Sequence, residues 1–173
     1  SEKVGAADGL QAAVQALDAG EVVAWFEGRA EVGARALGHR SIIGDPRRAD
    51  IHKRVNVVKQ REQWRPLAPS VLAEHADKWF DGVPTCGSPY MSITAMVKSE
   101  ARESIPGVTH VDGSARLQTV TEEEVPLYYQ LILAFMALAG VPMVLNTSFN
   151  LAGMPIVEVR DMRERNFMPC QPL

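Results

Sequence analysis

Cysteine is scarce in this chain: its 173 residues contain two, Cys86 and Cys170, far apart and in no CxxC pair. That scarcity excludes a disulfide framework and a metal finger, and it predicts a cytosolic, reducing setting. Histidine is nearly as rare, at four. No His, Cys or carboxylate stands at ligand spacing beside His110, so no intrinsic metal is expected. Apolar runs are short as well. Residues 131–139 form one of the longest, far below the ~20 residues that span a bilayer, so no membrane partner is expected. No basic-then-apolar segment opens the chain, and Ser1 stands where Met is expected, which reads as a cut from a longer chain. The glycine-rich stretch near residue 30 lacks Gly-Lys-Ser/Thr and GxGxxG, so it is neither a P-loop nor a dinucleotide fingerprint. Ser114 lacks the context of a nucleophile elbow.

What is present is an ordinary globular composition, 46% hydrophobic and 23% charged, long enough for one domain over residues 1–173 that buries roughly 70% of its unfolded surface. The net charge of −3 hides an asymmetry. Between Arg29 and Arg65 ten basic residues face four acids, giving +6 there and −9 elsewhere. Such an excess marks either an anion site or a solvated basic face.

Residues 8–19 predict a helix, with Asp8 as N-cap, Leu10, Val14 and Leu17 on one face, and Gly20 just past the end. A buried strand is expected at 21–26, a loop with a short helix at 28–44, and a helix at 50–59. Pro66 and Pro69 predict an extended edge path over 64–70, followed by partial helix over 71–80. Residues 90–97 alternate as a strand does. Two extended pieces are expected within 108–120, broken at Asp112–Gly113. Thr121 and Glu124 resemble a capping box before a helix carrying Leu127, Leu131, Phe135 and Leu138 and ending at Gly140. A buried strand at 141–145 then leads into polar residues. The class is α/β (α+β), a twisted mixed β-sheet with flanking helices.

Four segments carry chemistry. Residues 28–41 combine glycines with Arg29, Arg35 and Arg40, and a helix starting near Gly33 would aim amides at an anion. Arginine's planar fork grips carboxylate or phosphate oxygens in pairs. Residues 59–70 set Lys59 and Arg65 on either side of Trp64, which fits either nucleic acid or an amphipathic surface with the tryptophan inward. Residues 109–120 set His110 and Arg116 around an Asp-Gly turn, and a lone histidine there also suits a hydrogen-bonded structural role. Residues 144–150 bring Asn146 and Ser148 to a strand's carboxyl end, where α/β folds bind ligands, although a self-capped polar turn has the same composition.

Taken in order, GRxExGxRALGxRSI, KxREQWRPxAPSV, THVDGSARxQTV and NTSFN resemble the C-terminal domain of O-carbamoyltransferases over residues 10–157. That family includes nodulation, cephalosporin and aminoglycoside (tobramycin) carbamoylating enzymes. The resemblance implies a YrdC-like fold that takes carbamoyl phosphate and ATP to a carbamoyl adenylate, with Mg²⁺ carried by the nucleotide. It also implies an N-terminal Kae1-like partner domain with a metal site, absent from this chain, that passes the carbamoyl group to a hydroxyl. The family's substrate-binding residues fall on Arg35, Lys59, Arg65, Arg116, Asn146 and Ser148, with Arg40, Arg29 and His110 as second candidates. Nucleic acid is not the expected partner, although YrdC-type folds are associated with RNA and residues 29–65 are basic. An RNA-binding module remains the alternative, and a degenerate structural domain a third. The pattern departs at Met154, where a glutamate is usual, and over 162–173, where a closing helix and final strand are expected to be lost or supplied otherwise.

Overall fold

A computed structural model describes residues 6–158. The departures expected over 162–173, together with Cys170, lie outside the described residues. The chain opens with α1 (Ala6–Asp18). The helix begins before Asp8, so this acid sits in the first turn rather than at the cap, where its charge still suits the helix dipole. Val14 and Leu17 are buried, and Gly20, at φ 80°, ends the helix by donating its N–H to the Leu17 carbonyl.

β1 (Val23–Phe26) pairs antiparallel with β2 (Arg40–Gly44). β1 is an edge strand, with Ala24 exposed and Trp25 buried, not the fully buried strand expected at 21–26. No helix forms between residues 28 and 39, and the fully buried β2 occupies the end of that stretch. The short apolar pair Ile42–Ile43 behind Arg40 and Ser41 gave too little pattern to reveal it. After α2 (Ile51–Val58) comes β3 (Ala68–Leu72). A 3-10 turn (Ala73–His75), α3 (Ala76–Trp79) and the two-residue β4 (Phe80–Asp81) follow. β5 (Ile93–Val97), a 3-10 turn (Ser99–Ala101), β6 (Ser114–Val120), α4 (Pro126–Ala139) and β7 (Met143–Ser148) complete the order. Of the two extended pieces expected within 108–120, only the second is a strand.

The sheet runs β1-β2-β7-β3-β6-β5-β4. Only β3 and β6 are parallel; every other pairing is antiparallel. β3 therefore lies at the centre, not at an edge as its prolines suggested. Leu72 donates its N–H toward β7, to the Pro142 carbonyl. Alternation along the strand turns the Pro69 nitrogen the other way, toward β6, where registered pairing starts only at Ser70. The missing donor falls where the ladder has not yet begun.

The two faces bury separate cores. Under α1 and α4 lie Trp25, Ile43, Leu72, Val120 and Val144 with Tyr128, Leu131 and Phe135. Under α2 and the short turns lie Ile42, Val71, Ala115, Leu117, Met143 and Leu145 with Ile51, Val55 and Ile105. α4 carries no charge over its length, as suits a helix pressed on a sheet, and Gly140 closes it at φ 74°. Leu138, expected on its buried stripe, is 56% exposed. Among the described residues no helix is long and apolar enough to cross a membrane.

Candidate anion-binding site

On the α1/α4 face the central strands change character along their length. Even positions share that face, because side chains alternate along a strand. Leu72, Val120 and Val144 form an apolar row. Next comes a polar row, Ser70, Gln118 and Asn146, all buried and joined by hydrogen bonds. Ser70 Oγ donates to Gln118 Oε1 at 2.6 Å, and Asn146 Nδ2 lies 3.0 Å from both Ser70 Oγ and Gln118 Oε1. One step further stand Ala68, Arg116 and Ser148, which line a small cavity of about 70 Å³ together with Arg35, Arg61, Pro66, Leu67 and Asn146. The strands thus run from apolar core through a fixed polar layer to a cationic mouth.

Among the described residues three arginines from three separate segments line this cavity, and no carboxylate does. Arg116 is half-buried, and burial first, then the charge of Arg35, push its guanidinium below the usual range. Arg61 is depressed likewise by burial, then by Arg65, with Arg116 also contributing. The site therefore holds like charges close together, an arrangement an anion would relieve. Arg116 Nε is buried with no hydrogen-bond partner.

The arginines are set from behind. Asn56, fully buried on α2, accepts from Arg61 Nε at 2.6 Å and donates to the carbonyls of Gln63 and Arg65. The His52 ring meets the same Arg65 carbonyl through Nε2 at 2.5 Å.

The residues singled out in the sequence separate into groups. Arg35, Arg116, Asn146 and Ser148 come together at the cavity. Lys59 is 2% exposed and lies behind it. Its Nζ donates to the Ser148 carbonyl, and lies 3.2 Å from Ser148 Oγ, 3.0 Å from the Asn150 carbonyl and 2.7 Å from Asn150 Oδ1. Burial, then the Arg61 charge, push this amine down to about 7, while the surrounding oxygens favour the ammonium. Arg65 is half-exposed outside the lining, paired with Glu62 at 2.8 Å beside Trp64. The tryptophan is 75% exposed, not packed inward.

Arg40 is an interior strut. It donates to the carbonyls of Glu27, Gly28, His39 and Glu158 and stacks on Phe26. Arg29 is exposed and outside the lining. His110 lies in a neighbouring groove of about 660 Å³ with His52, Trp64, Pro66 and Leu67. Its Nδ1 is 3.1 Å from Ser114 Oγ, and burial pushes its imidazole toward the neutral form against the opposing Asp112 charge. Among the described residues no three His, Cys, Asp or Glu side chains gather as a metal group.

Arg61, Asn56, Asn150 and Gln118 were not singled out as site residues. The alternation Lys59-x-Arg61 and Ser148-x-Asn150 carried the first and third. Asn56 stood out only as a polar residue beside the apolar Ile51 and Val55 on one helix face.

Residues 14–171 match the family described as Carbamoyltransferase C-terminus. Nodulation protein NolNO of Sinorhizobium fredii is 47% identical over 142 residues, covering 80% of this chain and 21% of that protein. The 3'-hydroxymethylcephem-O-carbamoyltransferase of Amycolatopsis lactamdurans is 43% identical over 138 residues, covering 80% of this chain and 26% of the enzyme. The chain thus spans about a fifth to a quarter of the length of these relatives. The P. abyssi Sua5 structure superposes with a TM-score of 0.63 at 14% identity, covering 96% of this chain and 45% of that one, which supports the YrdC-like fold. By its four motifs, its fold and its match over most of its length, the chain belongs to the carbamoyltransferase C-terminal family.

Proposed function

We propose that this domain binds carbamoyl phosphate and ATP and forms a carbamoyl adenylate, which a partner domain transfers to a hydroxyl acceptor. The observation that carries this is one cavity lined, among the described residues, by Arg35, Arg61 and Arg116 without a carboxylate. Two phosphorylated substrates bring many negative charges together, and fixed cations offset that repulsion and the charge that develops in the transition state. The cavity admits only a small anionic group. Larger parts of a nucleotide fit the adjoining groove, which shares Pro66 and Leu67 with it. Mg²⁺ enters with the nucleotide, held by its phosphates.

Balanced, the reaction releases phosphate from carbamoyl phosphate with uptake of water. A carbamate oxygen bonds to the α-phosphorus of ATP, and pyrophosphate leaves. Arg61 and Arg116 suit the phosphate oxygens. Arg65 is recruitable, because an exposed pair such as Arg65–Glu62 contributes only about 0–1 kcal/mol. Lys59 orients Ser148 and Asn150 at the end of β7. Among the described residues no side chain lining the cavity is a base poised to deprotonate an alcohol, which fits transfer taking place in an N-terminal Kae1-like partner domain.

The test is to incubate the chain with labelled carbamoyl phosphate, ATP and Mg²⁺, with and without a panel of hydroxyl acceptors. Release of phosphate and pyrophosphate in equal amounts, with no carbamoylated acceptor, is expected. Release of neither would sink the assignment of adenylate formation.

A further inference from the structure

Residues 27–39 join two paired strands without any regular secondary structure. So long an irregular connection is uncommon inside a compact domain and needs side chains to satisfy its backbone. At its two ends Arg40 does this, donating to the carbonyls of Glu27, Gly28 and His39; in between, the partners are these. Glu31 Oε1 accepts from the backbone N–H groups of Leu37 at 2.7 Å, His39 at 2.8 Å and Arg40 at 3.3 Å. On the carbonyl side, Gln118 Nε2 donates to Leu37 O at 2.8 Å and Asn146 Nδ2 to Ala36 O at 3.0 Å. Ser41 Oγ accepts from the Gly38 N–H at 3.2 Å. Leu37 is therefore held by both of its backbone groups, one to a carboxylate within the loop and one to the sheet.

Arg35 stands immediately before this anchored stretch, and its own side chain is exposed. It lines the cavity together with Arg116, whose guanidinium feels the Arg35 charge. Nothing about like charges would hold Arg35 there without a ligand. The two anchors also sit on the strands that bear two of the cavity's lining residues, the cation Arg116 and the hydroxyl Ser148. Gln118 is two residues beyond Arg116 on β6, and Asn146 two before Ser148 on β7.

Building on the anion-binding reading, we propose that Glu31 and Gln118 are positioning residues that clamp the Arg35 loop by the backbone of Leu37. The clamp keeps the three-arginine cavity assembled before any anion arrives. Glu31 acts as an acceptor of N–H groups, not as a counter-charge to the ligand. Gln118 registers the loop to the strand that bears Arg116. Preorganisation of this kind spares the ligand the work of ordering its own site.

The test is a double-mutant cycle read by calorimetric titration with inorganic pyrophosphate. Glu31→Ala and Gln118→Leu are each made with Arg35 present and in an Arg35→Ala background, and folding is checked by circular dichroism. With Arg35 present, each substitution should weaken binding about tenfold, the scale of one charge-assisted hydrogen bond. In the Arg35→Ala background each should change affinity by less than about twofold, because the loop then has no cation to place. Glu31→Gln keeps a carbonyl acceptor and should restore most of the loss.

Equal losses in both backgrounds, or none with Arg35 present, would overturn the clamp while leaving the anion site standing. So would failure of Glu31→Gln to restore binding. If the unsubstituted protein does not bind pyrophosphate, the anion-binding reading falls and the clamp with it; if it binds equally well without Arg35, the clamp alone falls. Should Glu31→Ala fail to fold, Gln118→Leu and Glu31→Gln decide the matter alone.

Discussion

At the scale of single residues, the cavity concentrates its chemistry in guanidinium groups that burial has made less comfortable as cations. Arg116→Ala and Arg61→Ala should each lower affinity for carbamoyl phosphate or ATP tenfold or more, since a hydrogen bond to a charged group contributes roughly 1.5–3 kcal/mol. Calorimetric titration, with a thermal melt to confirm folding, checks this; unchanged affinity in both variants would remove them from the site. Gly38 makes a different demand. Its φ is +117°, and a Cβ there would stand 2.4 Å from Tyr128 Cδ1. Gly38→Ala should therefore destabilise the protein by about 2 kcal/mol or more, visible as a lowered denaturation midpoint.

Lys59 supplies the pH dependence. Its folded value of about 7 lies below the ~10.4 of a free lysine. Between those values the unfolded chain holds the extra proton, so this group's contribution to stability grows as pH rises across the window. It is lost as pH falls through about 7. Anion affinity should move oppositely, weakening above neutrality as the charge behind Ser148 disappears. Titrations with carbamoyl phosphate between pH 6 and pH 9 measure it, and Lys59→Met should flatten the profile. A flat profile in the unsubstituted protein would contradict the assignment.

At the scale of elements, the helices were the most legible part of the sequence. α1 and α4 announce themselves by apolar spacing and a terminating glycine, and α2 by its start after Pro46. The strands were harder, for identifiable reasons. β2 hides its five buried residues behind an arginine that serves as an interior strut, and β3 carries a proline that ordinarily marks an edge. Its central place follows from the side to which the Pro69 nitrogen turns, which depends on register and not on composition. The site shows the same division. Arg35, Arg116, Asn146 and Ser148 were readable from their motifs, whereas Gln118 acts through contacts to distant strands and a loop and Asn56 through the turn that folds back onto its own helix. The apolar row at the far end of the gradient gives an element-scale expectation. Leu131→Ala on α4 should cost about 2–5 kcal/mol in chemical denaturation yet leave anion affinity of the folded protein unchanged. A loss of affinity comparable to that of Arg116→Ala would mean that the two ends of the strands are coupled.

At the scale of the whole molecule, a chain of net charge −3 brings three of its arginines to one mouth, Arg35 and Arg61 from two loops and Arg116 from β6. The alternative of an RNA-binding module predicts affinity that collapses over decades with added salt, whereas a partly buried pocket for small phosphates is screened less. The measurement that tests the central claim most directly is calorimetric titration of the protein with carbamoyl phosphate and with ATP–Mg²⁺, separately and together, at two salt concentrations. Saturable binding of both ligands, weakened by Arg116→Ala and only modestly affected by salt, is the predicted result. Absence of binding to either ligand by the folded protein, or binding indifferent to Arg116, would contradict it.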